Sequence, residues 1–154
     1  MVYVIQLATA LSGSLAFSMY LNIRKDKLLV AGLGGLLSWS VFLLLGNWIQ
    51  SDVIRYFIVS MILTLYAEAM ARVKKAPATV FLVSAAIPLI PGGALYETMH
   101  FAVQRQWESF TAQGIHTLLL AVAIACGILA TTTVMQIIEK AIILHHKTLE
   151  LRQK

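Results

Sequence analysis

The chain has 154 residues, of which 59% are hydrophobic and only 12% charged, and its mean hydropathy is +0.80. Soluble domains carry about a quarter of their residues as charges, so the composition excludes a soluble globule and specifies one integral membrane domain. The net charge of +5 and pI near 9.6 do not indicate a nucleic-acid binder, because the basic residues fall in short clusters between apolar runs, as membrane orientation demands.

A spanning helix needs about 20 largely apolar residues, and five segments qualify. The first, 2–23, is rich in small residues (Ala8, Ala10, Ser12, Gly13, Ser14, Ala16, Ser18). No basic region precedes it, so a cleaved signal peptide is not expected. The second, 28–49, sets Ala31 and Gly35 four apart, and the third, 53–71, holds Glu68 about a turn from its end. The fourth, 77–103, is longer than a straight crossing requires. The fifth, 115–138, repeats Ala123, Gly127 and Thr131 every four residues. Such stripes let membrane helices approach closely, which predicts an all-α, polytopic bundle of five transmembrane helices. Its only cysteine, Cys126, can form neither an internal disulfide nor a thiolate metal site and is read as a small buried hydrophobe. The predicted organisation is a five-helix domain over 1–139 and a charged cytoplasmic helical tail over 140–154. Within that tail His145 and His146 point to different helical faces, and two nitrogens do not close a tetrahedral shell, so no metal is expected there.

Orientation follows from the connections. Arg24, Lys25 and Lys27 lie after the first span, Arg72, Lys74 and Lys75 after the third, and Lys140, Lys147, Arg152 and Lys154 after the fifth. The other two connections hold only Arg105. Lysine and arginine favour the cytoplasmic side, which puts the N-terminus outside and the C-terminus inside. Trp48, Tyr56 and Trp107 then fall near the outer interface, where an aromatic belt is expected.

The fourth segment carries Pro88, Pro91, Gly92 and Gly93 in its interior. Proline removes an amide donor and clashes with the preceding turn, and glycine permits angles that other residues resist. A helix broken at 88–93 is therefore predicted. Broken backbone at membrane depth survives where it is buried in protein or lines an aqueous cavity, and paired half-helices of this kind bind substrate in many secondary transporters. If the helix restarts near Gly93, the amides of Ala94, Leu95 and Tyr96 lack partners and form a site for a carboxylate. Glu97, beside Tyr96, either exchanges protons, tunes which substrates approach, or reaches the outer surface. Glu68 is read either as an intramembrane proton carrier or as the ion-pair partner of Arg72, four positions on. His100 and His116 are read as interfacial.

An enzyme is not expected: there is no HExxH, no G-x-S-x-G, no pair of intramembrane aspartates and no Walker A sequence, and no cofactor is called for. Tyr66-Ala67-Glu68-Ala69-Met70-Ala71-Arg72, Ala76-Pro77-Ala78-Thr79-Val80-Phe81 and Ile87-Pro88-Leu89-Ile90-Pro91-Gly92-Gly93-Ala94-Leu95-Tyr96, followed by Met99, resemble the threonine/serine exporter family. The chain looks like the small five-span half that some bacteria encode separately. Glu68, Arg72, Pro77, Pro88, Pro91, Gly92, Gly93 and Tyr96 match the family pattern. The resemblance implies a multi-pass subunit of a bacterial inner-membrane exporter, acting with a larger subunit that has the complementary spans and a cytoplasmic domain. Single-chain relatives export threonine and serine and two-component relatives export succinate, so the substrate is expected to be a small carboxylate-bearing metabolite. The pathway is expected at Pro88, Pro91, Gly92, Gly93, Tyr96 and Glu97. A structural or assembly subunit without substrate contact is the rival expectation, and a channel-like homo-oligomer a third.

Overall fold

The computed structural model describes residues 2–152, with side chains as far as residue 141. Six helices follow in order: α1 (Val2–Tyr20), α2 (Lys25–Leu45), α3 (Asp52–Lys74), α4 (Ala78–Ala86), α5 (Gly92–Val103) and α6 (Trp107–Arg152), with a 3₁₀ turn (Ile87–Leu89) between α4 and α5. Four of them are long and apolar enough to cross a bilayer alone, and α4 with α5, bent by 51° at the break, are together long and apolar enough for a fifth, broken span or for a re-entrant loop. The bundle is all-α, as the apolar segments imply. Apolar side chains such as Val4, Leu29, Leu33, Leu118, Val122 and Leu129 face outward, where lipid replaces water as solvent.

The small-residue stripes are the contact seams. Ala10, Ser14 and Ser18 of α1 are buried, and a Cβ on Gly35 of α2 would collide with Ser14. On α3, Tyr56, Val59, Ser60, Leu63, Thr64 and Ala67 form the buried stripe. Opposite it lie Thr117, Leu120, Ala123, Gly127 and Thr131 of α6, all buried. At Gly127 a Cβ would come 2.6 Å from the carbonyl of Phe57 and collide with Ser60, so glycine there sets how near α3 and α6 lie. The α4 segment packs between α2 and α3, whereas α5 leaves that layer and leans on α6. Thr98 and Thr117 join α5 to α6 through their hydroxyls at 3.1 Å.

Helix ends sit near where the residue types place them. Lys75 adopts a left-handed conformation and closes α3, and Pro77 precedes α4. Asn22 and Arg105 turn the chain at the α1–α2 and α5–α6 connections, likewise with positive φ. Two expectations need correction. Tyr56, expected in an outer aromatic belt with Trp48 and Trp107, is buried against Phe42, ring centroids 4.9 Å apart, while Trp48 and Trp107 are exposed. Cys126, expected to be buried, is exposed, because among the described residues α6 packs mainly on α3 and α5 and Cys126 lies off those seams. The helix α6 starts at Trp107, eight residues before the predicted segment, and runs on through the predicted tail as far as Arg152. The side chains of His145, His146, Lys147 and Arg152 lie outside the described residues.

Candidate substrate site

Two prolines and a hydroxyl shape the break. Pro88 and Pro91 have no amide to give, so the α4 ladder cannot pass through them. The fully buried Ser38 of α2 donates its hydroxyl to the carbonyl of Ala85 at 2.8 Å, with Gly35 O as its other acceptor at 3.0 Å. One frayed end is thereby tied to a neighbouring helix. On the other side the helix restarts one residue earlier than the sequence suggests, at Gly92. The amide of Gly92 reaches back to Ile90 O at 2.7 Å and that of Leu95 to Pro91 O at 3.0 Å. The amides of Gly93 and Ala94 find no acceptor among the described residues. The open amides are therefore those of Gly93 and Ala94; Leu95 was expected among them but is satisfied. Neither glycine has a positive φ, which corrects the expectation that they supply unusual backbone angles. A Cβ on either would meet nothing within 4 Å; glycine leaves space there.

That space belongs to a cavity of about 490 Å³. Pro88, Ile90, Pro91, Gly92, Gly93, Ala94 and Glu97 form one wall. The opposite walls come from Trp39 and Phe42 of α2, Asp52, Arg55 and Tyr56 of α3, and Gln113, His116 and Leu120 of α6. Arg55 is not among the residues expected at the site: it lies in the first turn of α3, near the end of an apolar span, where a partly buried ionisable side chain marks a functional candidate. Its side chain is 19% exposed and paired with Asp52, and its guanidinium carbon stands 4.8 Å from the centre of the Phe42 ring. Buried Arg55 Nε and Trp39 Nε1 have no hydrogen-bond partner among the described residues. Such atoms carry a desolvation cost of about 1–3 kcal/mol each until something pairs with them. Across the cavity Glu97 accepts a hydrogen bond from Gln113 at 2.8 Å.

A family model described as threonine/serine exporter, ThrE, matches residues 6–134. This chain belongs to the threonine/serine exporter family. No curated protein and no solved structure matches it significantly. The exporter is a multi-pass membrane protein, and the family is one of transporters rather than enzymes. In it the break and the cavity occupy the half of the bundle that carries the α2–α3 and α5–α6 connections.

Not every expected residue reaches the cavity. Pro88, Pro91, Gly92, Gly93 and Glu97 line it, whereas Tyr96 is 71% exposed on the far face of α5 and stacks on His100. His116, expected at an interface, is part of the lining. Glu68 lies thirteen residues beyond Arg55 on the same helix, about 20 Å at 1.5 Å per residue. There it pairs with Arg72 at 3.5 Å, and Arg72 also pairs with Glu139 of α6. The geometry at that end is an ion-pair cluster joining α3 to α6. Groups able to hold a metal ion are absent among the described residues.

Proposed function

We propose that the chain is the transmembrane subunit of a gradient-driven exporter of small carboxylate-bearing metabolites, with threonine and serine as the substrates its cavity suits best. The carrying observation is the meeting of Arg55 with the open amides of Gly93 and Ala94 around one cavity. A helix N-terminus offers roughly half a positive charge, and the guanidinium is a planar fork that matches a carboxylate. Together they hold the acid end of the substrate.

Charge selects among carboxylates. The cavity also holds Asp52 and Glu97. A zwitterionic amino acid places its ammonium group against Glu97 and adds no net charge. A dicarboxylate of the succinate type sets two further negative charges against two resident ones, with Arg55 as the only arginine or lysine of the lining to balance them. Substrate-loaded membrane vesicles containing the chain and its partner test this: gradient-dependent threonine and serine movement supports the reading, and succinate movement alone transfers it to the dicarboxylate branch.

The larger partner subunit, the bacterial inner membrane and an external N-terminus complete the proposal. Supporting a partner, α5 packs chiefly on α6, and Leu95, Tyr96, Met99 and Val103 are uncovered. The same observation favours the rival, a purely structural subunit. Bulky substitution at Gly92 and Gly93 separates them: lost export from an intact complex supports the pathway, and lost assembly alone supports the rival.

A further inference from the structure

Arg55 already has a carboxylate partner on its own helix. Its Nη2 is taken by Oδ1 of Asp52, one helical turn earlier on the same helix, while its Nε is buried with no acceptor among the described residues. A guanidinium has five donors and matches a carboxylate two bonds at a time. Asp52 takes it one-sidedly and leaves much of its capacity open. Asp52 also has a second place to go. It is the acidic residue in the first turn of α3, its side chain 42% exposed, and Ser51 before it supplies no side-chain cap. The free amides of that turn attract negative charge, so a carboxylate leaving Arg55 is not stranded.

We propose that Asp52 is an internal stand-in for the substrate's carboxylate, occupying Arg55 in the unloaded exporter and displaced from it when substrate binds. The inference rests on the carboxylate-site reading above and adds the element that reading lacks, a means of release. Substrate arrives by exchanging one carboxylate for another on the same guanidinium, so the mostly buried Arg55 never stands uncompensated. Release is the reverse exchange, with Asp52 reclaiming the arginine. Affinity is thereby held low enough for turnover, at the cost of a permanent competitor within the site.

The test measures transport of radiolabelled threonine by membrane vesicles holding the full chain and its partner, for wild type, Asp52→Asn, Asp52→Ser, Asp52→Glu and Arg55→Gln. Removing the competitor lowers the half-saturating concentration about two- to fivefold, the scale of a partly exposed ion pair. It lowers the maximal rate as well, because release slows. Asp52→Glu keeps the charge and restores the half-saturating concentration at least in part. A purely structural aspartate would give no such opposed pair of effects. Unchanged or raised half-saturating concentrations in Asp52→Asn and Asp52→Ser, together with lost transport in Arg55→Gln, overturn the stand-in role and leave the carboxylate site intact. Wild-type transport by Arg55→Gln removes the site itself. Failure of both uncharged Asp52 variants to accumulate in the membrane assigns Asp52 to the fold and also overturns the proposal.

Discussion

Gly93→Val separates the function of the break from its stability. Gly93 has no positive φ, and a Cβ there meets nothing within 4 Å. Valine and glycine differ by only a few tenths of a kcal/mol in helix propensity, so the folded state changes by less than about 0.5 kcal/mol, within the usual range of surface substitutions. Function is another matter. Side chains on a helix tilt toward its N-terminus, so the valine methyls lie over the open amides of Gly93 and Ala94. Losing one charge-assisted hydrogen bond costs about 1.5–3 kcal/mol, which is a rise of about 10- to 150-fold in the half-saturating substrate concentration. Thermal unfolding in detergent and threonine transport in vesicles, measured on the same preparation, read the two effects separately. Wild-type half-saturation in a folded Gly93→Val protein would refute the placement of the substrate at these amides. Equal loss of stability and transport would show the glycine to be structural.

Three other changes probe the frame and the selectivity. Gly127→Ala drives a methyl to within 2.6 Å of the Phe57 carbonyl, and overpacking of this kind costs about 1–3 kcal/mol; the melting temperature in detergent should fall by several degrees, and an unchanged value would mean that α3 and α6 are not held at this spacing. Ser38→Ala leaves the Ala85 carbonyl without its 2.8 Å donor, at about 1–3 kcal/mol for a buried group, and should speed hydrogen exchange in the α4 segment more than in α1. Glu97→Gln removes one of the two resident carboxylates of the cavity; threonine transport should weaken and competition by succinate should strengthen, whereas equal weakening of both would detach Glu97 from charge selection.

Much of the fold was legible because membrane solvation acts on composition and period alone. Apolar length marked the spans, small residues four apart marked the seams at Gly35 and Gly127, and two prolines three apart marked the break. The site was legible only on one side. Pro88, Pro91, Gly92, Gly93 and Glu97 announce themselves in a single run, but Trp39, Arg55 and Gln113 come from three other helices, and no local pattern says which spans face one another. Arg55 did carry a signal, a lone arginine inside an apolar run three residues after Asp52, which counting bases only in the connections passed over. Tyr96 erred for a related reason. It sits close to Glu97 in sequence, yet the two share a helix on which neighbouring positions point about 100° apart. Gly92 and Gly93 have a sequence context that suggests turn geometry, yet the backbone there is already helical and their missing side chains matter as open volume.

The most direct measurement is an experimental structure of the chain with its partner in saturating threonine. The account predicts the substrate carboxylate within about 3 Å of Arg55 and of the Gly93 and Ala94 amides, with its ammonium toward Glu97 and Asp52 turned away from Arg55. Threonine bound elsewhere, such as in the cleft of about 350 Å³ between α1 and α2 near Tyr3 and Asn47, or an Arg55–Asp52 pair unaltered beside a filled cavity, would contradict it.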